Sequence, residues 1–113
     1  MADTLGAFEQ AVLLAIVRLG ADAYGRSILH DVESRFERTL APGAVHATLD
    51  RLEAKRLVDS RLLAGTPVRG GRARRYYRIK PAGVRSLNIA RSTLETLWRG
   101  LEWPLARTAG GVP

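Results

Sequence analysis

The 113-residue chain contains no cysteine and only two histidines, His30 and His46. The first absence removes disulfide scaffolds, thiolate zinc sites and cysteine nucleophiles together. The second leaves too few imidazoles, too isolated, for a metal centre. No apolar run approaches the roughly 18 residues of a membrane span. Met1-Ala2-Asp3-Thr4 lacks the basic start of a secretory signal. Catalysis has little to work with: the acids are scattered, no Gly-rich loop introduces a phosphate-cradling helix, and no Ser/His/Asp arrangement stands out. There is no internal repeat and no interdomain linker. The expectation is one small domain with a modest core, without enzymatic activity, cofactor, metal or membrane partner.

Acid is also missing from one particular place. Residues 1–50 carry 4 basic and 7 acidic side chains, whereas residues 51–80 carry 10 basic and 2 acidic. Arg69 to Lys80 holds six basic residues and no acidic one, so the formal net charge of +7 is concentrated there. Such a run is often only a solvated surface. Beside Gly70-Gly71 and Tyr76-Tyr77 it points instead to phosphate, in a soluble, intracellular protein that faces nucleic acid.

The hydrophobic pattern predicts helices first. Thr4 to Leu19 is apolar almost all the way round and needs cover on both sides, one from its own core and one from a second chain. Asp22 can cap a second helix, Ala23 to Arg38, with Tyr24, Ile28, Val32 and Phe36 at helical spacing. Pro42 suits the first turn of a third, in which Val45, Leu49 and Leu52 share a stripe. Small residues at 43, 44 and 47 would let its other face approach another surface closely. From Leu57 the texture becomes strand-like: Leu57 to Leu63 and Ala73 to Ile79 flank a Gly- and Pro-rich tip. Alternation places Arg75, Tyr77 and Ile79 on the core side and Arg74, Tyr76 and Arg78 on the other. Pro81 opens a last helix reaching about Trp103, with Leu87, Leu94 and Leu101 every seven residues, a dimerisation signal.

Three helices, a basic hairpin and a final helix are the order of a winged helix-turn-helix, mainly α with one small β-hairpin, whose third helix suits a major groove. Residues 1–80 form that domain on this reading, 81–105 a C-terminal dimerisation helix, and 106–113 a flexible tail. Leu5-Gly6-Ala7-Phe8-Glu9-Gln10, Ala23-Tyr24-Gly25, the run Gly43 to Glu53, the run Arg69 to Ile79, and Pro81-Ala82-Gly83 together resemble the PadR family of bacterial transcriptional regulators, specifically its short-C-terminus subfamily. The resemblance covers roughly residues 5 to 103. It implies a cytoplasmic homodimer, usually a repressor, that binds an inverted repeat in double-stranded DNA and responds to a small hydrophobic or phenolic effector.

The DNA-binding residues expected are Tyr24 at a phosphate, Gly43, Ala44, His46, Ala47, Thr48 and Arg51 on the third helix, and Arg69, Gly70, Gly71, Arg72, Arg74 and Arg75 on the wing. Trp98 and Phe8 are the expected effector contacts. Leu5, Phe8, Val12, Leu87, Leu94, Trp98 and Leu101 are the expected dimer interface. Family members often carry Tyr where this chain has His46 and Gly where it has Arg56. A protein-interaction module whose wing binds an acidic partner remains the alternative.

Overall fold

The structure is a computed structural model and describes residues 4–64 and 73–106. Its elements are α1 (Ala7–Leu19), α2 (Gly25–Phe36), α3 (Pro42–Ala54), β1 (Val58–Leu63), β2 (Arg74–Ile79) and α4 (Pro81–Trp98), with a short 3₁₀ turn at Gly20–Asp22. The order and type match the winged helix-turn-helix expected from the sequence. The core forms where α1, α2 and α3 meet: Val12, Leu13 and Ile16 pack with Ile28 and Val32 and with Val45, Leu49 and Leu52. Tyr77 and Val58 join it from the hairpin. The two strands pair antiparallel, with Val58 opposite Ile79 and Leu63 opposite Arg74. Tyr77 is buried and Tyr76 is not, as the alternation requires.

Helix ends differ from expectation for local reasons. α1 begins at Ala7 rather than Thr4, because the Glu9 carboxylate reaches back to accept the Gly6 N–H at 3.1 Å. α2 begins at Gly25, and Asp22 does not cap it. Ala23 and Tyr24 are instead extended: the Tyr77 N–H donates to the Ala23 carbonyl at 2.8 Å, and Tyr24 bridges to Tyr76. Strand pairing therefore displaces the first helical turn. The Ser27 hydroxyl takes the capping role, accepting the Tyr24 N–H at 3.0 Å. α4 stops at Trp98, short of Trp103. Arg99 and Gly100 (φ +87°) form a type II turn in which the Leu101 N–H donates to the Trp98 carbonyl. Leu101 is thus off the helix, and the three-leucine seam is not a single helical stripe.

Two backbone features set how the pieces join. α3 ends in a Schellman motif: Arg56 N–H donates to the Glu53 carbonyl and Leu57 N–H to the Leu52 carbonyl, both at 2.9 Å. Arg56 occupies the left-handed position, φ +63°, where glycine is ordinarily favoured. The helix end is therefore tight despite the bulky residue. Next, α4 approaches the hairpin through Gly83, its one buried residue. A Cβ there would lie 2.4 Å from the Leu57 carbonyl oxygen and 2.7 Å from Ile79 Cγ1.

Gly83→Ala should therefore lower stability by about 1–3 kcal/mol, since a backbone oxygen cannot give way as a side-chain tip can. Arg56→Gly should raise it by about 1 kcal/mol through relief of left-handed strain. Denaturant titration of the two variants beside the parent chain measures both signs.

Candidate nucleic-acid interface

The outward face of α3 is nearly bare. Gly43, Ala44, His46, Ala47, Asp50 and Arg51 are exposed, while Val45, Leu49 and Leu52 on the opposite stripe are buried. A Cβ added at Gly43 would meet nothing, so no packing within the chain requires glycine there. Small side chains over the first two turns let another surface come close to the backbone. Thr48 departs from expectation. It is 1% exposed, and its hydroxyl accepts a hydrogen bond from Arg51 Nη2 at 3.0 Å. Placed between the core and Arg51, Thr48 has no surface to offer a base and acts on its neighbour instead.

Beside this face the extended residue Tyr24 and strand β2 form a second patch. The Tyr24 and Tyr76 rings meet edge to face with centroids 5.5 Å apart, and the Arg74 guanidinium lies 4.2 Å above the Tyr24 ring. A hydrogen bond with Tyr76 and the proximity of Tyr24 push Arg74 up from its ordinary value. Arg75 points to the other side of the strand, where its Nη1 donates to Ser60 Oγ at 3.0 Å. Ser60 in turn donates to Glu53 Oε2 at 2.8 Å, which ties the hairpin to α3. Between α3 and β2 lies a groove of about 690 Å³ carrying both signs of charge, from Arg26, Arg74 and Arg75 and from Asp50 and Glu53. The structure thus brings Tyr24, His46, Arg74 and Arg75 to one groove. Arg69, Gly70, Gly71 and Arg72 lie outside the described residues. Among the described residues no group of three or more His, Asp or Glu side chains converges as metal ligands. Among the described residues no helix is long and apolar enough to cross a membrane.

The residues expected at a dimer or effector surface divide. Leu5 and Val12 are buried in the chain's own core and are not open to a partner. A helix apolar on all sides does not reveal which side is already filled. Phe8 is half-buried and stacks on Phe36, centroids 6.0 Å apart, whereas Trp98 meets Trp103 edge to face at 5.5 Å. The two expected effector contacts therefore have different partners within one chain. Leu87 packs against the core, while Leu94 is 54% and Leu97 68% exposed.

One cluster was not anticipated. Glu9, the lone acid in the first turn of α1, is nearly buried and spends both oxygens on neighbours. Oε1 accepts the Gly6 N–H; Oε2 accepts Lys55 Nζ at 3.0 Å and pairs with Arg51 Nε at 3.8 Å. Burial alone would raise its pKa, but hydrogen bonds from Lys55 and Gly6 and the charges of Lys55 and Arg51 outweigh burial and hold the carboxyl below its ordinary value. A single acid at the start of a helix whose only other charge is Arg18 was the available signal.

Because the folded-state pKa is depressed, the stabilisation from Glu9 is fully present above about pH 4.5 and is lost as pH falls through the lower folded value. Thermal melts should show the parent chain more stable than Glu9→Gln at neutral pH, with the gap closing in acid. A gap independent of pH would contradict the linkage.

Comparison with known proteins agrees with this architecture. Residues 13–89 match the model of the transcriptional regulator PadR-like family. A transcriptional regulator of Mycobacterium tuberculosis, Rv3488, is 38% identical over 102 residues, covering 88% of this chain and 91% of its own length. A PadR family regulator from Eggerthella lenta superposes with a TM-score of 0.62 at 23% identity, over 79% of this chain and 75% of that one. Another, from Clostridium difficile, gives 0.58 at 26% identity, over 78% and 88%. With more than half its length matched by the family model and a relative this similar across nearly the whole chain, the protein belongs to the PadR-like family of transcriptional regulators, not to an enzyme family.

Proposed function

We propose that the chain is a homodimeric repressor that binds an inverted repeat in double-stranded DNA, placing one α3 in each of two major grooves and one hairpin against each flanking backbone or minor groove. The observation that carries this reading is that α3 shares one groove with the Tyr24–Arg74 stack through His46, Asp50 and Glu53, while Gly43, Ala44 and Ala47 lie exposed on the same helix. Short side chains admit the helix to a base-pair edge, and the stacked guanidinium offers a phosphate contact whose side-chain freedom is already restricted.

Dimerisation is supported by α4. Val84, Ile89, Leu94 and Leu97 are exposed apolar residues on one helix, more than a lone surface helix ordinarily leaves uncovered. A second copy would cover them and set the spacing between the two recognition helices. A small hydrophobic or phenolic effector held between the two α4 helices, against Trp98, would alter that spacing and release DNA. On this reading the protein acts in the bacterial cytoplasm, on chromosomal DNA.

Selection of bound duplexes from random sequence should return a palindrome, with log affinity falling steeply against log salt. Arg74→Ala should weaken every duplex alike and make that slope shallower by about 1 for each phosphate that is no longer neutralised. Leu94→Asp should sediment as monomer and lose operator binding. A dimer with intact binding would refute the α4 seam, and failure to retain any duplex would refute the reading as a whole.

A further inference from the structure

Lys55 and Arg51 are cations at the C-terminal end of the proposed recognition helix, and both turn toward α1. Lys55 Nζ sits 3.0 Å from Glu9 Oε2, with only 30% of its side chain exposed. Arg51 donates a hydrogen bond to Thr48 Oγ1 at 3.0 Å and is drawn toward Glu9 Oε2 at 3.8 Å, beyond hydrogen-bond distance, while 55% of its side chain stays exposed. The Glu9 side chain is 12% exposed and fixed from below by the Gly6 N–H. We propose that Glu9 is a built-in counter-ion for the recognition helix: a positioning residue that withholds Lys55 from DNA phosphate and narrows the poses of Arg51, so that Arg51 discriminates among sequences instead of binding any phosphate.

The physical reasoning is a competition. For Lys55 to reach a phosphate it must leave a carboxylate that has little water to replace it, and an ion pair broken on one side leaves an uncompensated charge under the surface. Lys55 therefore contributes to the long-range field without making a phosphate contact. Arg51 gains in a different way. A free arginine is a flexible cation that accepts many phosphate geometries, whereas one bonded to Thr48 and drawn toward Glu9 presents its guanidinium over a narrower range of orientations. A matching contact then costs less side-chain entropy, and a mismatched one is harder to accommodate by rotation. Thr48, buried under Arg51, belongs to the same device.

This inference rests on the DNA-binding reading above, and the experiment separates the two. The full chain and its Glu9→Gln and Lys55→Gln variants are titrated against a duplex selected from random sequence by the parent protein, and against a scrambled duplex of equal length. Fluorescence anisotropy is read over a series of salt concentrations, and circular dichroism confirms the fold. In Glu9→Gln the scrambled duplex should bind more tightly, the salt slope should steepen by about 1 for each released cation, and the ratio between the two duplexes should fall roughly tenfold. In Lys55→Gln the slope should not change, because that charge contacts no phosphate; this arm stands even where Glu9→Gln fails to fold. A folded Glu9→Gln with parental slope and ratio, or a Lys55→Gln slope shallower by about 1, overturns the inference alone. A parent chain that binds neither duplex overturns the DNA-binding reading and the inference with it, and one that binds both equally overturns sequence discrimination and so the inference.

Discussion

The backbone of Leu57 is where the molecule is joined. Its N–H closes the end of α3 on the Leu52 carbonyl, and its own carbonyl accepts the Lys80 N–H at 2.9 Å. The same oxygen is the atom that a side chain at Gly83 would strike. Helix α3, the hairpin base and α4 therefore all take their positions from one residue's backbone. Its side chain is buried with the core, so this junction cannot shift without disturbing the packing of Leu49 and Leu52. The proposed DNA-reading surface, made from a helix and a strand, needs their separation held constant, and this junction supplies that constraint.

What the sequence made legible follows from which signals are local. The stripe Val45, Leu49, Leu52 and the alternation through Tyr77 are periodic, and both were recoverable. Thr48 was not, because a threonine on the flank of an apolar stripe reads equally well as surface or core until the partner of its hydroxyl is known. Leu5 and Val12 failed for a related reason: uniform hydrophobicity shows that a helix is covered, not by what. The heptad count ran on to Leu101 because a turn at Gly100 does not interrupt a seven-residue spacing in the sequence. Glu9 needed tertiary information, since Lys55 lies 46 residues away along the chain.

Charge was legible in total and misleading in detail. The net +7, concentrated after residue 50, counts every cation as free, yet several along the chain are already engaged. Arg78 pairs with Asp59 at 3.3 Å, Arg18 with Asp31, and Arg91 with Glu95 along α4. Most of these pairs are exposed and contribute little to stability. Their effect is to decide which cations face a polyanion unaccompanied. Arg74 and Arg38 are braced on aromatic rings and not on acids, and of the two Arg74 lies closer, at 4.2 Å against 5.8 Å, and borders the groove beside α3.

On the proposed dimeric reading, the shallow attachment of α4 has a consequence for how much protein a cell must hold. The helix is seated by Gly83 in its first turns and by Leu87, and beyond these its apolar residues meet no other part of the described chain closely enough to be buried. A helical segment of this length is marginal in water without tertiary cover. Where a second copy supplies that cover, the order of the C-terminal region becomes a function of abundance. Scarcity would then act as the proposed effector does: below a threshold amount of protein the two proposed recognition helices lose their fixed spacing, and expression level itself becomes part of the proposed control.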